Sequence, residues 1–398
     1  MIDWFELEKK YYMRTFEKVR LPVTLVRGKG ARVWDDKGKK YLDFIAGWAV
    51  NCLGHAHPVV VNALSGQAKK LIHTSNQFYT VPQLQLAELL VRKSCMHKVF
   101  FGNSGLEANE GAVKLARRYG KIKLNGAYEV ITAIGSFHGR SLAMTAATGQ
   151  ESFHLPYLPM PEGFINVKYN DIEAIKTATT AKTCAVMLEL IEAESGVNVP
   201  DEDYIKKVRQ WCDERGILLI LDEIQTGIGR LGKLFGYQLY DIEPDIITLA
   251  KGLAGGVPIG AVLAKEHAAV FVSGDHGSTF GGNPLACAVG YATMKYIIEK
   301  DIVGHASRVG KYLVDGLMKL KKKHSFITDV RGRGLLLAIE FTSDIGQRVL
   351  MDSLENGLLV NKVKPNAIRL MPPLIIGSKD VDDAIGILDK VFSGIVKL

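Results

Sequence analysis

Residues 216–223 read GILLILDE, an unbroken apolar run that ends in two carboxylates. A strand that is apolar at every position is typical of a parallel sheet covered by helices on both faces. Strand-like and helical runs alternate around this stretch, from about residue 51 to residue 290. This alternation predicts an α/β fold, with a mostly parallel, doubly wound sheet in a large domain. The predicted strands are 98–101, 129–134, 184–190, 217–221 and 246–250.

The two flanking regions predict a different organisation. Residues 1–50 read as a short helix followed by hairpin material, because turn signals at 28–30 and 35–38 separate β-rich runs. Residues 291–398 contain a long helix, a turn-rich RGRG at 331–334, strands near 335–341 and 368–370, and a final helix. We therefore expect a smaller α+β C-terminal domain, with the N-terminal segment packed against it.

Composition narrows the functional classes. Hydrophobic residues make up 47% of the 398 residues, which predicts a folded chain. The net charge of +8 is spread along the sequence, so we expect no nucleic-acid partner. Five cysteines without a CxxC spacing favour a reducing compartment. The N-terminus lacks the apolar core of a signal peptide, and no apolar run reaches the roughly 18 to 20 residues of a membrane span. We expect a cytoplasmic protein without a membrane partner.

Polar residues whose side chains could take part in a reaction follow two of the predicted strands. Asp222 ends the apolar run at 217–221, and a carboxylate that leaves a buried strand needs a cationic or hydrogen-bonding partner. Lys251 follows the strand at 246–250 and is surrounded by small residues. Ligands of doubly wound sheets bind at the carboxyl ends of the strands, so both side chains are expected at one edge. A confined lysine has a lowered pKa and forms Schiff bases.

Two further stretches complete a binding site for a flat, phosphorylated cofactor. The sequence FGNSGLEAN at 101–109 predicts a strand, a loop and a helix N-terminus, whose free N–H groups bind phosphate. The sequence SFHGR at 136–140 offers an aromatic plane and a guanidinium. Pyridoxal phosphate combines a phosphate, a ring nitrogen and a carbonyl, and its enzymes pair a lysine with an acidic partner for the ring nitrogen.

Seven stretches resemble the fold-type I aminotransferases of class III, over essentially the whole chain. This family includes acetylornithine, ornithine and 4-aminobutyrate aminotransferases and glutamate-semialdehyde aminomutase, and the sequence most resembles the acetylornithine enzymes. The stretches are GHAHP (54–58), NSGLEANEGAVKLAR (103–117), SFHGR (136–140), LDEIQTGIGRLGKLF (221–235), AKGLAGGVPIGAV (250–262), HGSTFGGNPLA (276–286) and IRLMPPL (368–374).

The resemblance implies pyridoxal phosphate as cofactor and assigns the residues that contact it. Lys251 would bind the cofactor covalently and carry the proton, and Asp222 would hold the ring nitrogen protonated. The remaining contacts would be the phosphate (Ser104, Gly105, Leu106), the two ring faces (Phe137, Ile224) and the ring oxygen (Gln225). Thr279 would reach the phosphate from the neighbouring subunit, which implies a homodimer with shared sites.

The resemblance also implies the substrates and the residues that bind them. The terminal amino group of N-acetylornithine would pass to 2-oxoglutarate, giving N-acetylglutamate semialdehyde and glutamate, a step of arginine biosynthesis. Arg140 and Arg369 would bind carboxylates, and Glu194 would mask Arg369 when the substrate brings only one. Ser278 is a further predicted substrate contact.

Several positions depart from the family pattern and leave the donor open. Leu106 replaces a common Thr or Ser, and Leu190, Glu192 and Ala193 replace the usual Pro, Gln and Gly beside the gate. Gly47 lies where ornithine aminotransferases carry a tyrosine that holds a free α-amino group, which favours a blocked amine. Ornithine, 4-aminobutyrate and carrier-linked lysine remain alternative donors.

Two other interpretations of the sequence are weaker. The GxGxxG at 227–232 follows a strand and could indicate a dinucleotide-binding oxidoreductase, but a weak helix opening follows it. His55, His57 and His138 lack a third ligand at metal-binding spacing, so we predict packed or hydrogen-bonded histidines and no metal.

Overall fold

The apolar run after Gly216 forms a strand, Leu218–Asp222, that is buried at every position. It belongs to a computed structural model that describes residues 4–16 and 20–395. The strands of the described residues are β1 Leu25–Lys29, β2 Arg32–Asp35, β3 Lys40–Asp43, β4 Lys98–Gly102, β5 Glu129–Ile134, β6 Phe164–Lys168, β7 Thr183–Glu189, β8 Leu218–Asp222, β9 Ile246–Leu249, β10 Gly260–Ala264, β11 Ile327–Arg333, β12 Leu336–Phe341, β13 Leu358–Leu359, β14 Asn361–Lys364 and β15 Ala367–Leu370.

Helices cover the sheets and connect their strands. None of the helices in the described part of the chain is long and apolar enough to cross a membrane. They are α1 Trp4–Tyr11, α2 Ala46–Ala49, α3 Pro58–Ala68, α4 Val81–Lys93, α5 Gly105–Lys123, α6 Leu142–Ala147, α7 Glu151–His154, α8 Ile172–Ala178, α9 Tyr204–Arg215, α10 Pro284–Glu299, α11 Ile302–Lys323, α12 Gly346–Glu355 and α13 Ser378–Ile395.

The large sheet has seven strands in the order β4-β10-β9-β8-β7-β5-β6. The pairs among β9, β8, β7, β5 and β6 are parallel, and only β10 runs antiparallel to its neighbours. The predicted α/β class with a mostly parallel sheet is therefore confirmed. The strands β6 and β10 were not predicted, because a short half-buried strand and a strand embedded in a glycine-rich stretch carry weak periodicity.

Side chains of the central strands alternate between two hydrophobic cores, one on each face of the sheet. Leu219 and Leu221 lie in one core, whereas Leu218 and Ile220 lie in the other. Helix α5 packs closely on the second core, where a Cβ on Gly120 would come within 2.0 Å of the carbonyl oxygen of Ala127. The continuous apolar run at 217–221 follows from this two-sided burial.

Two smaller sheets complete the fold. The N-terminal strands form β1-β2-β3-β13, in which β3 pairs in parallel with β13 from the C-terminal part of the chain. The C-terminal strands form β11-β12-β15-β14. The predicted turn at 331–334 is wrong for residues 331–333, which belong to β11 and pair with β12; the turn follows at Gly334 and Leu335. Gly332 adopts φ +129 within the strand. The glycine that we interpreted as a turn residue therefore marks a distorted strand and not a loop.

The glycine-rich loop at 227–232 joins the large sheet to the C-terminal part of the chain. No α-helix of the described residues begins between β8 and α10, so the helix N-terminus of a dinucleotide site is missing. The loop packs instead on α11 and on the turn before β12: a Cβ on Gly232 would lie 3.1 Å from the Ser307 side chain, and Arg230 donates to the carbonyl oxygens of Leu335 and Pro372. The oxidoreductase interpretation is therefore wrong.

The segment after β7 folds back on itself and carries three of the departures from the family pattern. Glu192 and Asn198 exchange two backbone hydrogen bonds. Leu190 and Ala193 are fully buried, and Ala193 packs with Leu231 and Met371 in a small hydrophobic cluster. The replacement at 193 thus packs the segment against the C-terminal strands, whereas Leu190 packs against Gly236.

Glu192 is a buried carboxylate in this folded-back segment. Its Oε2 accepts hydrogen bonds from Ser195 Oγ and Asn198 Nδ2, both at 3.1 Å, while Oε1 has no partner among the described residues. Burial raises the pKa of Glu192 to about 7, although the hydrogen bonds from Asn198 and Ser195 favour the ionised form. The folded protein therefore holds a proton on Glu192 that the unfolded chain releases near pH 4.5.

We predict that Glu192→Gln stabilises the protein at pH 8 and leaves it nearly unchanged at pH 5. As the pH rises from about 4.5 towards 7, only the unfolded state loses the proton, so the wild type loses stability through this window. Glutamine mimics the protonated acid and removes that loss, on the order of 1 to 3 kcal/mol. Urea denaturation at both pH values measures it, with the exposed Glu202→Gln as control. An equal effect at both pH values would contradict the raised pKa.

Candidate active site

A cavity of about 510 Å³ opens at the carboxyl ends of the large sheet's strands. In the register of the sheet Glu189 lies opposite Asp222, and Asp222 lies opposite Thr248, so three strand ends meet there. Ten of the residues predicted from the sequence line this cavity: Ser104, Gly105, Leu106, Phe137, Arg140, Glu194, Asp222, Ile224, Gln225 and Lys251.

Asp222 is held at the floor of the cavity by three hydrogen bonds. Its Oδ2 accepts from Asn109 Nδ2 at 2.7 Å and lies 2.8 Å from His138 Nδ1, and its Oδ1 accepts from the Ile224 amide at 3.0 Å. Because a carboxylate only accepts, the proton of His138 lies on Nδ1. Asp222 is only 3% exposed, and its Oδ1 keeps capacity for a further donor in the cavity.

Asn109 and His138 are functional neighbours that the sequence reasoning did not assign. Asn109 is fully buried on α5 and accepts from Thr248 Oγ1 at 2.7 Å through its own oxygen. The signal for Asn109 was a polar residue on the apolar face of a predicted helix. The prediction that His138 is a packed or hydrogen-bonded histidine is confirmed by its contact with Asp222.

Lys251 begins a short 3₁₀ turn directly after β9, so its side chain enters the cavity from the strand next to Asp222. Its φ of +40 is rare for a residue with a side chain, and such strain is concentrated at functional sites. Burial lowers the pKa of Lys251, and the charge of Arg369 lowers it further, against the attraction of Glu194. A lowered pKa makes the neutral, nucleophilic form of the amine easier to reach than in a solvated lysine.

Glu189 is a second buried carboxylate beside Asp222. It accepts from the Phe137 amide at 2.8 Å and from the Ala193 amide at 3.3 Å. Burial and then the charge of Asp222 raise the pKa of Glu189 well above its ordinary value. Glu189 thus ties the loop that carries Phe137 to the segment that carries Glu194.

The N-terminus of α5 forms one end of the cavity. Ser104 caps the helix, since its Oγ accepts from the Glu107 amide at 3.2 Å. Gly105 has no room for a side chain, because a Cβ there would lie 2.8 Å from Ile224 Cδ1. The free N–H groups of this first turn are a suitable site for a phosphate. The side chain of Leu106 adds no donor to them.

Arg369 lies behind the cavity, fully buried, and is paired with Glu194. Its Nη1 and Nη2 donate to the two carboxylate oxygens of Glu194 at 2.9 and 3.2 Å. Further acceptors are the Ala193 carbonyl at 2.8 Å and Asn361 Oδ1 at 2.8 Å. The structure thus brings together the two residues of the predicted pair, and the role of Glu194 as a mask of Arg369 stays a prediction.

Gln225 joins this pair. It donates to Glu194 Oε1 at 3.1 Å and accepts from Arg369 Nη1 at 3.2 Å. Burial opposes ionisation of Glu194, but the charges of Arg369 and Lys251 and the hydrogen bonds from Arg369 and Gln225 outweigh it and lower the pKa of Glu194 to about 2. Glu194 is therefore ionised at neutral pH. The contact of Gln225 with a cofactor ring oxygen stays a prediction.

Arg140 lies at the wall of the cavity, whereas Ser278 and Thr279 lie outside it. Arg140 is exposed at the cavity wall. Ser278 does not line the cavity, and its Oγ accepts from Asn103 Nδ2 at 3.2 Å. Thr279 is exposed and likewise outside the cavity, so contacts of Ser278 and Thr279 with a ligand of this chain stay predictions.

These residues fit pyridoxal phosphate. The helix end at Ser104 suits the phosphate, the remaining acceptor capacity of Asp222 suits a protonated ring nitrogen, and the lowered pKa of Lys251 suits attack on a carbonyl. Phe137 and Ile224 line the same cavity and offer apolar surfaces for the two ring faces.

Comparison with known proteins places this geometry in one family. The family described as aminotransferase class-III matches residues 13–392. The acetylornithine aminotransferase of Caldanaerobacter subterraneus subsp. tengcongensis is 50% identical over 389 residues, which are 98% of each chain. The acetylornithine aminotransferase of Methanocaldococcus jannaschii is 48% identical over 397 residues, which are 99% of each chain.

A solved structure agrees with these sequence relatives. The ornithine aminotransferase of Toxoplasma gondii, crystallised with oxidised glutathione and with PLP at partial occupancy in its active site, has a TM-score of 0.95 and 33% identity. The similarity covers 99% of this chain and 94% of that chain. With matches of this extent in sequence and in structure, the chain belongs to the class-III aminotransferases, enzymes that depend on pyridoxal phosphate.

Proposed function

We propose that this aminotransferase moves the terminal amino group of N-acetylornithine to 2-oxoglutarate, giving N-acetylglutamate semialdehyde and glutamate. The observation that carries the proposal is the Glu194–Arg369 pair, which leaves Arg140 open while a second arginine is masked. Such an arrangement suits a donor that presents one carboxylate and an acceptor that presents two. The two relatives at 50% and 48% identity, both named acetylornithine aminotransferases, support this donor and a role in arginine biosynthesis.

In the donor half-reaction Arg140 binds the single carboxylate of the substrate. A guanidinium can donate two parallel hydrogen bonds to a carboxylate, which fixes its orientation as well as its position. Glu194 keeps Arg369 occupied, so the donor carboxylate finds only one free arginine. Gly47 stands where ornithine aminotransferases carry a tyrosine that holds a free α-amino group. The absence of that tyrosine supports a donor whose α-amino group is acetylated.

In the acceptor half-reaction 2-oxoglutarate uses both arginines. One carboxylate binds Arg140, and the other displaces Glu194 from Arg369. The exchange replaces one carboxylate by another, so the buried guanidinium is never left without a negative partner. Gln225 can keep its hydrogen bond with Arg369 and donate to the incoming carboxylate, because its amide bonds both members of the pair.

The residues around the cofactor have separate roles in the reaction. Pyridoxal phosphate, when bound, draws electrons away from the reacting carbon as its proton leaves. Lys251 accepts that proton on Nζ and returns it, which a neutral amine of lowered pKa can do. Asp222 would hold the ring nitrogen in its protonated form, and Asn109 and His138 hold Asp222 in place.

A homodimer with shared sites is part of the proposal. Segment 76–83 is bonded to the loop that carries Thr279: Asn76 Nδ2 donates to the carbonyl oxygens of Ser278 and Gly281, both at 3.0 Å. Beside it lie several large exposed apolar side chains, Phe78, Tyr79, Val81, Leu84 and Phe280. Exposed apolar side chains concentrated in this way are typical of a protein interface, and an interface here would bring Thr279 to the neighbouring subunit's phosphate.

We place the enzyme in the cytoplasm. All five cysteines are free, four of them buried, whereas secreted proteins commonly use cysteines in disulfides. Ornithine is the second candidate donor, because the ornithine aminotransferase of Toxoplasma gondii is structurally so similar.

An absorbance spectrum of the purified holoenzyme tests the reaction and the donor together. We predict a visible cofactor band that bleaches faster with N-acetylornithine than with ornithine or 4-aminobutyrate and returns when 2-oxoglutarate is added. A faster response to ornithine would replace the donor and keep the reaction class. No band after addition of pyridoxal phosphate would contradict the whole assignment.

The variant Lys251→Ala provides the control for this spectrum. Without the amine the visible band should be lost and turnover should fall by at least about a thousandfold. The exposed Lys319→Ala is the matched variant and should keep both. Wild-type turnover in Lys251→Ala would overturn the site assignment.

The two arginines should separate the half-reactions. We predict that Arg369→Ala raises the KM for 2-oxoglutarate roughly 10- to 100-fold, the range of a lost charged hydrogen bond, with a smaller effect on the donor. Arg140→Ala should raise the KM of both substrates, because both place a carboxylate there. Steady-state kinetics with each substrate varied in turn measures the split, and circular dichroism verifies the fold. Equal losses for both substrates in Arg369→Ala would contradict the masking by Glu194.

A further inference from the structure

Arg140 and Arg369 are held in the site by two different kinds of interaction. Arg369 is paired with a carboxylate, as described above. Arg140 forms no ion pair within the described residues; its guanidinium lies over two aromatic rings instead. The distance from its Cζ to the ring centroid is 4.3 Å for Phe153 and 5.5 Å for Phe137. Both lie within the approximately 6 Å range of cation–π attraction, and Phe153 is the nearer ring.

Phe153 is fixed to the loop that carries the cofactor-stacking residue. It lies in the short helix α7, whose preceding residue Gln150 donates to the Ser136 carbonyl at 3.0 Å. His154, the residue after Phe153, bonds the Thr148 carbonyl at 2.6 Å. Thr148 Oγ1 in turn accepts from the His138 amide at 2.9 Å. These hydrogen bonds connect the helix that carries Phe153 to residues 136–138.

The rings of Phe153 and Phe137 meet edge to face, with centroids 6.0 Å apart and planes at 73°. This is a favourable aromatic geometry, and it leaves the face of Phe153 available to the guanidinium. An exposed arginine otherwise loses about 2 kcal/mol of rotamer entropy when a ligand fixes it. A ring reduces this loss without supplying a negative charge that would compete with the substrate.

We propose that Phe153 is a positioning residue that orients Arg140 for the carboxylate shared by the amino donor and 2-oxoglutarate. This inference rests on the proposed function, in which Arg140 binds a carboxylate in both half-reactions. Phe153 touches neither substrate nor cofactor in this account and acts through Arg140 alone. It therefore sets the KM of both substrates and leaves kcat nearly unchanged.

The test compares Phe153→Leu, which keeps apolar bulk and removes the ring face, with Phe153→Tyr, which keeps the ring. We expect Phe153→Leu to raise the KM of N-acetylornithine and of 2-oxoglutarate by similar factors of about 2 to 10, the range of a lost cation–π contact, with kcat within about twofold. Phe153→Tyr should remain close to wild type. Phe326→Leu removes a ring from the aromatic cluster of the C-terminal sheet and is the matched control.

Several outcomes would overturn the inference. An increase of only one KM, or a fall in kcat at constant KM, would contradict an action through the shared clamp. A weaker affinity for pyridoxal phosphate with unchanged KM values, measured by cofactor titration, would mean that Phe153 only supports Phe137. If Phe153→Leu fails to fold, Phe153→Met makes the same comparison.

Arg140→Ala separates this inference from the proposed function. If Arg140→Ala raises both KM values and Phe153→Leu raises neither, only the role of Phe153 is refuted. If Arg140→Ala itself raises neither, the clamp assigned in the proposed function is refuted, and the inference with it.

Discussion

Arg369 is a fully buried guanidinium paired with Glu194, and this ion pair constrains the active site, because removing the carboxylate would leave a buried charge uncompensated. Glu194 supplies the partner in the present structure, with Gln225, Asn361 and the Ala193 carbonyl completing the shell. The strand β15 brings Arg369 from the C-terminal sheet, whereas Glu194 follows β7 of the large sheet. The ion pair is therefore also a connection between the two sheets, and a dicarboxylate can replace Glu194 only by taking over its charge.

The opposite end of the substrate site follows a different rule. Arg140 lies at the surface, where solvent stabilises its charge, so a carboxylate partner is unnecessary and would block the substrate. Aromatic rings hold it instead. Between the two arginines, Asp222 and Lys251 lie at the ends of adjacent parallel strands. In the proposed function the chemistry takes place at the carboxyl edge of the sheet, and the two arginines bind the substrate carboxylates.

Much of the architecture was predictable because burial leaves a pattern in the sequence. The continuous apolar run at 217–221 predicted a strand covered on both faces, and the carboxyl-edge rule then placed Asp222 and Lys251 in one cavity. The strand β10 was not predicted, because its glycine reflects close packing. The turn predicted at 331–334 is wrong for residues 331–333, because the glycine there lies in a distorted strand. Asn109 and Phe153 act through tertiary contacts with distant residues, which local patterns do not encode. The pairing of Arg369 with Glu194 came from the resemblance, since 175 residues separate them.

The most direct test of this account is a crystal structure of the holoenzyme with glutarate, a dicarboxylate with the carbon skeleton of 2-oxoglutarate and no carbonyl group. We predict that one glutarate carboxylate binds Arg140 and that the other binds Arg369 in place of Glu194, whose side chain turns away. A structure in which glutarate occupies the cavity while the Glu194–Arg369 pair remains closed would contradict it.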